Sequence, residues 1–146
     1  MLAQRIIGPI GSALAGLVIA LAAGQNAVAD ESTCPLPNQK QTLVVQLFFG
    51  QSIKNRGPVT PKEWNSFLRR KVTPLFPDGF TVYDAHGQWL NTETHLVSRE
   101  HTKVIVIATE DTPPIRINIA EVSDAYRKIF HQQSVGIVTN QACSAF

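Results

Sequence analysis

The sequence carries no large excess of charge of either sign and few residues with specialised chemistry. It has 13 Lys and Arg, 11 Asp and Glu, four His and only two Cys among 146 residues. Without a basic stripe, a nucleic-acid partner is not expected. There is no nucleophile elbow, phosphate-binding loop or dinucleotide fingerprint, and the histidines show no metal-ligand spacing. We therefore expect no metal site and no cofactor, and no motif assigns a reaction.

A long uncharged run stands near the start of the chain, over residues 6–24. Arg5 supplies a positive charge before it, and Ala27-Val28-Ala29 provides small residues at the cleavage positions. This pattern predicts a signal peptide over residues 1–29 and an exported protein, periplasmic or secreted. The alternative is a membrane anchor, because the run is nearly long enough to span a bilayer. Contact with a membrane is expected only through this segment, if it stays uncleaved.

The two cysteines, Cys34 and Cys143, lie near the two ends of the chain that cleavage after Ala29 would leave. Export places them in an oxidising compartment, which favours a disulfide between them. Closing a loop of about 110 residues is worth roughly 4–5 kcal/mol in the chain-entropy model. Lipidation at Cys34 is the rival interpretation, but the polar residues 31–33 before it do not fit a lipoprotein signal.

After a polar, extended lead-in over residues 30–41, apolar periodicity predicts a single domain over residues 42–146. Its expected elements are a strand over 42–49, a helix from residue 60 to 72, a strand with a short hairpin over 80–90, a strand over 97–109, a helix from 110–114 to 130, and a strand over 134–139. This order is the split βαβ plan. We expect a ferredoxin-like α+β sandwich, in which two helices cover one face of an antiparallel sheet.

Local signals support several of these elements. Thr60 and Glu63 fit a capping box, with Pro61 at the first helical position. Turns are predicted at Pro77-Asp78-Gly79 and, as a tight hairpin, at Asp84-Ala85-His86-Gly87. The second helix has an apolar stripe that is expected to be buried, made of Ile115, Ile119, Val122, Tyr126, Ile129 and Phe130.

The first strand is apolar on both sides, yet two helices can cover only one face of the sheet. Its more uniformly apolar residues are assigned to the helices: Leu43, Val45, Leu47 and Phe49. Val44, Gln46 and Phe48 then lie on an open face. Because an exposed apolar patch is usually an interaction site, we expect this face to be covered. The candidate covers are a second subunit in a homodimer, a small apolar ligand, or the tails of the chain.

In order and spacing, these residues resemble the bacterial family catalogued as domain of unknown function 3574. The resemblance covers nearly all of the predicted domain and departs from the usual pattern in the loop over residues 51–56. It implies no reaction, cofactor or catalytic residue, because the family is uncharacterised. The matching residues are Leu47-Phe48-Phe49-Gly50, Trp64, Phe67, Thr73-Pro74, Phe76-Pro77-Asp78-Gly79, Thr81-Val82, Asp84, Gly87-Gln88-Trp89, Arg99-Glu100, Lys103-Val104, Tyr126, Phe130, Gln133-Ser134-Val135, Cys143 and Phe146.

Arg99 and Glu100 are the most suggestive charged residues, because charges entering a buried strand need partners. Adjacent strand residues point to opposite faces, so each needs its own partner. One of them is a candidate for holding an anionic or protic ligand. Alternatively, Glu100 bonds the turn at residues 77–79 or the start of a helix. Asp78 and Asp84 are candidates for an acid–base pair, or for turn carboxylates that bond their own backbone.

Two functions from different classes follow. The first is an exported binding or interaction module that uses the open sheet face. The second is a small enzyme of the dimeric α+β barrel type, with a pocket near Gln46, Tyr83 and Arg99. Trp64 and Trp89 either frame an aromatic pocket or belong to the core. The fold hosts both functions and cannot decide whether the protein is an enzyme.

Overall fold

The structure, a computed structural model, describes residues 34–90 and 95–146. The predicted signal peptide lies outside the described residues. The described elements are β1 (Lys40–Gly50), α1 (Pro61–Phe67), a π-helical turn (Leu68–Val72), β2 (Thr81–Leu90), β3 (Val97–Thr109), α2 (Pro113–Phe130) and β4 (Gly136–Ser144). Neither helix within these ranges has the length and apolarity needed to cross a membrane.

The four strands form one antiparallel sheet in the order β2-β3-β1-β4. The two central strands, β1 and β3, are neighbours, as the split βαβ plan requires. The predicted ferredoxin-like α+β fold is therefore confirmed. The predicted faces of β1 are also confirmed, because Val45, Leu47 and Phe49 are fully buried whereas Val44 and Phe48 are only half-buried.

Thr60 begins α1 with the predicted capping box. Its Oγ1 accepts a hydrogen bond from the Glu63 backbone N at 3.3 Å, and Glu63 Oε2 accepts one from the Thr60 N at 2.9 Å. Arg56 adds two bonds to the same carboxylate, at 2.9 and 3.0 Å. The Arg56 guanidinium, followed by the Thr60 bonds, lowers the pKa of Glu63 from 4.5 to about 2.

Because the Glu63 pKa is lowered on folding, its stabilising contribution is complete above about pH 4.5 and is lost as the pH falls toward 2. We expect the Glu63→Gln variant to show a weaker fall in unfolding free energy across this pH window than the wild type. Urea unfolding at several pH values measures this difference. Glu121→Gln, an exposed position on α2, is the matched control and should keep the wild-type slope.

The helix continues past Phe67 in a wider turn than expected. The Thr73 N bonds the Leu68 carbonyl at 2.9 Å, five residues back, which is the π-helical pattern. The wider turn leaves Val72 fully buried at the end of the helix. The following turn at residues 77–79 is confirmed, since the Gly79 N bonds the Phe76 carbonyl at 3.2 Å and Gly79 has a φ of 114°.

The predicted hairpin at residues 84–87 is wrong. β2 runs without interruption through these residues, with Asp84 opposite Lys103 and Gly87 opposite Glu100. β2 therefore ends at Leu90, and β3 begins at Val97. The hydrogen-bonded pairing of residues 84–87 with β3 keeps this segment extended, although its residue types favour a turn. As a result, β2 and β3 extend beyond the end of β1, where Gly50 pairs with Thr102.

Two smaller expectations also change. Ile129 is 47% exposed, although it was expected in the buried stripe of α2. The buried stripe runs through Val122, Tyr126 and Phe130, and Ile129 is rotated by about 100° from Phe130 around the helix axis, toward solvent. Residues 34–39 form a turn rather than an extended segment, with the Gln39 N bonding the Leu36 carbonyl at 3.4 Å. The predicted disulfide between Cys34 and Cys143 is present, with a Cα–Cα distance of 5.6 Å.

Candidate functional site

The β2–β3 ribbon extends past the end of β1. We call this part of the ribbon, residues 85–90 and 97–101, the arm. A cleft of about 900 Å³ lies between the arm and the loops at the same end of the sheet. Its floor is the open sheet face, which contributes Phe48, Gly50 and Glu100. Residues 131–134, between α2 and β4, line its far side.

Glu100 is the acidic residue of this cleft and lies half-buried beside two glycines. A Cβ added at Gly50 would be 2.5 Å from Glu100 Oε1, and one added at Gly87 would be 4.0 Å from Glu100 Cγ and 3.2 Å from Thr102 Oγ1. Gly50 therefore makes room for the carboxylate, since real Cβ atoms do not approach an oxygen so closely. Within residues 34–90 and 95–146, the Glu100 side chain forms no hydrogen bond and no ion pair.

Tyr126, a core residue, forms a hydrogen bond to the backbone of Gly50, the residue that packs against Glu100. The Tyr126 hydroxyl donates to the Gly50 carbonyl at 2.8 Å and accepts from Gln51 Nε2 at 3.0 Å. Burial raises the pKa of Tyr126, and the nearby charge of Glu100 raises it further, while the Gln51 bond opposes the shift. Tyr126 is therefore a neutral donor that fixes the end of β1 where Glu100 packs.

Tyr126→Phe is expected to lower the free energy of unfolding by about 1–3 kcal/mol, because it leaves the half-buried Gly50 carbonyl and the buried Gln51 amide without this partner. Chemical denaturation measures the loss. Tyr83→Phe is the matched control, since Tyr83 is 44% exposed and donates no hydrogen bond to a described residue. Equal losses in the two variants would show that the Tyr126 hydroxyl has no special role.

Arg99 lies on the opposite face of the arm from Glu100, as strand alternation predicted. Its Nε donates to Gln88 Oε1 at 2.8 Å, across the strand pair. The suggested bond between Glu100 and the turn at residues 77–79 is not formed, because that turn precedes β2 at the other end of the ribbon.

Gln46, Tyr83 and Arg99 do not form the pocket proposed for the enzyme alternative. Gln46 and Tyr83 lie on the open face, opposite Val106 and Val104 respectively, and so face away from the helices. Arg99 lies on the other face, further along the arm. Glu100 is the acidic residue that lines the cleft, and Lys54 and Arg99 line it as well.

Asp78 and Asp84 are not brought together as an acid–base pair. Asp84 forms an ion pair with Lys103 across the β2–β3 ribbon. Asp78 lies before β2 and lines a separate groove near Thr81 and Phe146. Nowhere in the described ranges do three or more His, Cys, Asp or Glu side chains come together as metal ligands.

Residues 44–146 match the profile of a family described as a protein of unknown function, DUF3574. The chain belongs to this family. No protein among the curated sequences matches it.

Two solved structures share the fold of the DUF3574 domain. A phage SAM lyase in complex with S-methyl-5′-thioadenosine has a TM-score of 0.55 at 10% identity, covering 72% of this chain and 90% of that chain. A phage SAM lyase in the apo state has a TM-score of 0.52 at 10% identity, covering 73% of this chain and 90% of that chain. At this identity, the likeness concerns the fold alone.

Several cleft residues of the DUF3574 domain were not among the predicted site residues. Gly50 and Gly87 border Glu100, Phe48 lies on the floor, and His131 lines the loop side. His131 also ends α2 in the left-handed region, with a φ of 52°, a conformation that is uncommon for a residue other than glycine. Of the two tryptophans, Trp64 is in the core and Trp89 is 47% exposed and lines the cleft.

Proposed function

We propose that this protein is an exported binding module that holds a small molecule in the cleft at the arm end of its open sheet face. Glu100 is the anionic contact, and Phe48 and Trp89 offer apolar and aromatic surface beside it. The ligand class that suits this combination is a flat or apolar compound carrying a cationic or strongly hydrogen-bond-donating group. The observation that carries the proposal is the half-buried carboxylate of Glu100 between Gly50 and Gly87, which has no hydrogen-bond or ion-pair partner among the described residues.

A partly desolvated carboxylate without a partner is unfavourable, so a cationic group in the cleft would compensate it. Two further features support a ligand rather than a side-chain partner at this point. The glycines leave open space above the strands. The two cationic side chains that line the cleft, Lys54 and Arg99, form no ion pair with Glu100 among the described residues, and Arg99 bonds Gln88 instead. The cleft volume of about 900 Å³ falls in the range of small-molecule sites.

The experiment is untargeted mass spectrometry of small molecules that co-purify with the native exported protein. We expect one cationic compound to be retained by the wild type. Glu100→Gln should weaken its binding by about 10–100-fold, since a hydrogen bond to a charged group contributes about 1.5–3 kcal/mol. Glu121→Gln, exposed on α2, keeps the cleft intact and is the matched control. Retention of the same compound by Glu100→Gln would refute the proposal.

Export is part of the proposal and rests on two observations. The leader pattern over residues 1–29 is typical of a signal peptide, and a disulfide links Cys34 to Cys143 in a way that suits an oxidising compartment. Amino-terminal sequencing of the native protein is expected to start at Asp30. A start at Met1 in a membrane fraction would instead indicate an uncleaved anchor.

The enzyme alternative is supported by one observation, the shared fold with the phage SAM lyase over 90% of that chain. Under this proposal, the cleft would bind the sulfonium compound S-adenosylmethionine, whose positive charge suits Glu100. Incubating the protein with S-adenosylmethionine and measuring S-methyl-5′-thioadenosine tests it directly. Tight binding without turnover would favour the binding module, and release of the thioadenosine would favour the enzyme.

A homodimer through the rest of the open face is proposed from its exposed apolar side chains. Tyr83 and Val138 are 44% and 49% exposed there, beside the half-buried Val44 and Val106. Light scattering gives the mass in solution, and Val138→Glu is expected to shift a dimer to the monomer. A monomeric wild type would leave the cleft ligand as the sole occupant of this face.

A further inference from the structure

The arm carries a pair of histidines on the face opposite Glu100. His86 of β2 and His101 of β3 are direct partners in the ladder, although 15 positions separate them in the sequence. Their ring centroids are 4.6 Å apart at an interplanar angle of 55°. Both residues are exposed.

The backbone explains why these two rings approach so closely. The Gln51 N donates to the His101 carbonyl at 2.9 Å, so the polar backbone groups of His101 point toward β1 and away from β2. His86 and His101 therefore form a non-hydrogen-bonded pair in the β2–β3 ladder. In such pairs, the Cα atoms and side chains of antiparallel strands lie closest together.

The neighbours on the same face leave the imidazoles without competing partners. On one side Arg99 bonds Gln88 at 2.8 Å, and on the other side Lys103 pairs with Asp84. Neither histidine forms a hydrogen bond or an ion pair with another residue in the described part of the chain. Two imidazoles with free nitrogens at this separation form the donor set that late first-row transition ions prefer.

We propose that His86 and His101 form a two-imidazole chelate for a divalent transition ion, with Cu²⁺ bound most tightly. The ion is held by one nitrogen from each ring, and water or another ligand completes its coordination. The affinity order follows the general series, with Cu²⁺ above Ni²⁺ and Zn²⁺. The nearby charges of Arg99 and Lys103 oppose a cation, while Asp84 offsets Lys103, so the bound ion is exchangeable rather than permanently held. The two histidines lie on the face of the arm opposite Glu100, although His86 also borders the cleft.

Isothermal titration of the untagged, natively exported protein with CuCl₂, NiCl₂ and ZnCl₂ tests the proposal. We expect one Cu²⁺ per chain, removed by a chelator. His86→Asn and His101→Asn should each weaken binding by about tenfold or more, because each removes a ligand. His95→Asn, at an exposed residue outside both the arm and the cleft, is the matched control and should bind as the wild type does.

Nuclear magnetic resonance provides a second readout that does not depend on affinity. Sub-stoichiometric Cu²⁺ is expected to broaden the ring signals of His86 and His101 before those of His131. Circular dichroism confirms that each variant is folded. Absence of Cu²⁺ binding in the wild type, or binding that survives both arm substitutions, would overturn the proposal.

Discussion

Replacing Phe49 with alanine is expected to lower the free energy of unfolding by about 3–5 kcal/mol. The Phe49 side chain is fully buried beneath the helices. Its ring centroid lies 5.4 Å from that of Trp64, 5.8 Å from that of Phe67 and 4.7 Å from that of Tyr126, all in edge-on arrangements. Truncation removes the centre of this aromatic cluster and leaves a cavity that rigid neighbours cannot fill. Chemical denaturation monitored by Trp64 fluorescence measures the loss.

Phe48→Ala is the matched control, because the residue is adjacent and chemically identical but lies on the open face. It is only half-buried, so its loss should cost clearly less stability than that of Phe49. Since Phe48 also lies on the cleft floor, this variant should instead lose the co-purifying compound. Equal destabilisation by the two substitutions would mean that both faces of β1 are sheltered in solution, as they would be in a tightly associated homodimer.

Removing the disulfide is expected to destabilise the domain by about 2–5 kcal/mol. Cys34 and Cys143 are 109 positions apart, so the bond closes nearly the whole domain into one loop and restricts the unfolded chain strongly. It also ties the residues before β1 to the end of β4, where Gln41 pairs with Cys143. Thermal unfolding of the Cys34→Ser/Cys143→Ser variant, monitored by circular dichroism, measures the effect.

The reduced wild type is the control for the disulfide prediction. It should unfold at the same temperature as the double serine variant, because both proteins lack the cross-link. Their side chains differ only in having sulfur rather than oxygen at two positions. If the oxidised protein is no more stable than either, the bond contributes nothing and the β1–β4 ladder alone holds the ends. A difference between the reduced protein and the double variant would indicate an effect of the substitutions themselves.

Sequence patterns within a few residues correctly predicted the features of the fold that depend on local contacts. The capping box of Thr60 and Glu63 lies within four residues, and it is present as expected. The two faces of β1 follow from strand alternation, and Phe49 and Phe48 separate accordingly. The fold class followed from the order of elements, because few topologies accommodate that order.

The cleft could not be predicted, since it depends on which residues of distant strands are partners. Local turn chemistry predicts a hairpin at Gly87, whereas in the structure Gly87 lies opposite Glu100 within a continuous strand. The contact between Gly50 and Glu100 joins positions fifty residues apart and requires the β1–β3 register. The same holds for His86 and His101, whose sequence spacing resembles no chelating motif. The π-helical turn after Phe67 also has no local signal that we recognise.

The link between Gly50 and Tyr126 has a practical consequence for detecting ligands. One surface of Gly50 meets the Glu100 carboxylate, and its carbonyl receives the Tyr126 hydroxyl at 2.8 Å. The Tyr126 ring in turn lies 6.1 Å from that of Trp64. A molecule that displaces the carboxylate by a fraction of an ångström therefore alters the surroundings of two interior chromophores. Near-ultraviolet dichroism becomes a label-free sensor of occupancy, and a library of unmodified metabolites can be screened with it.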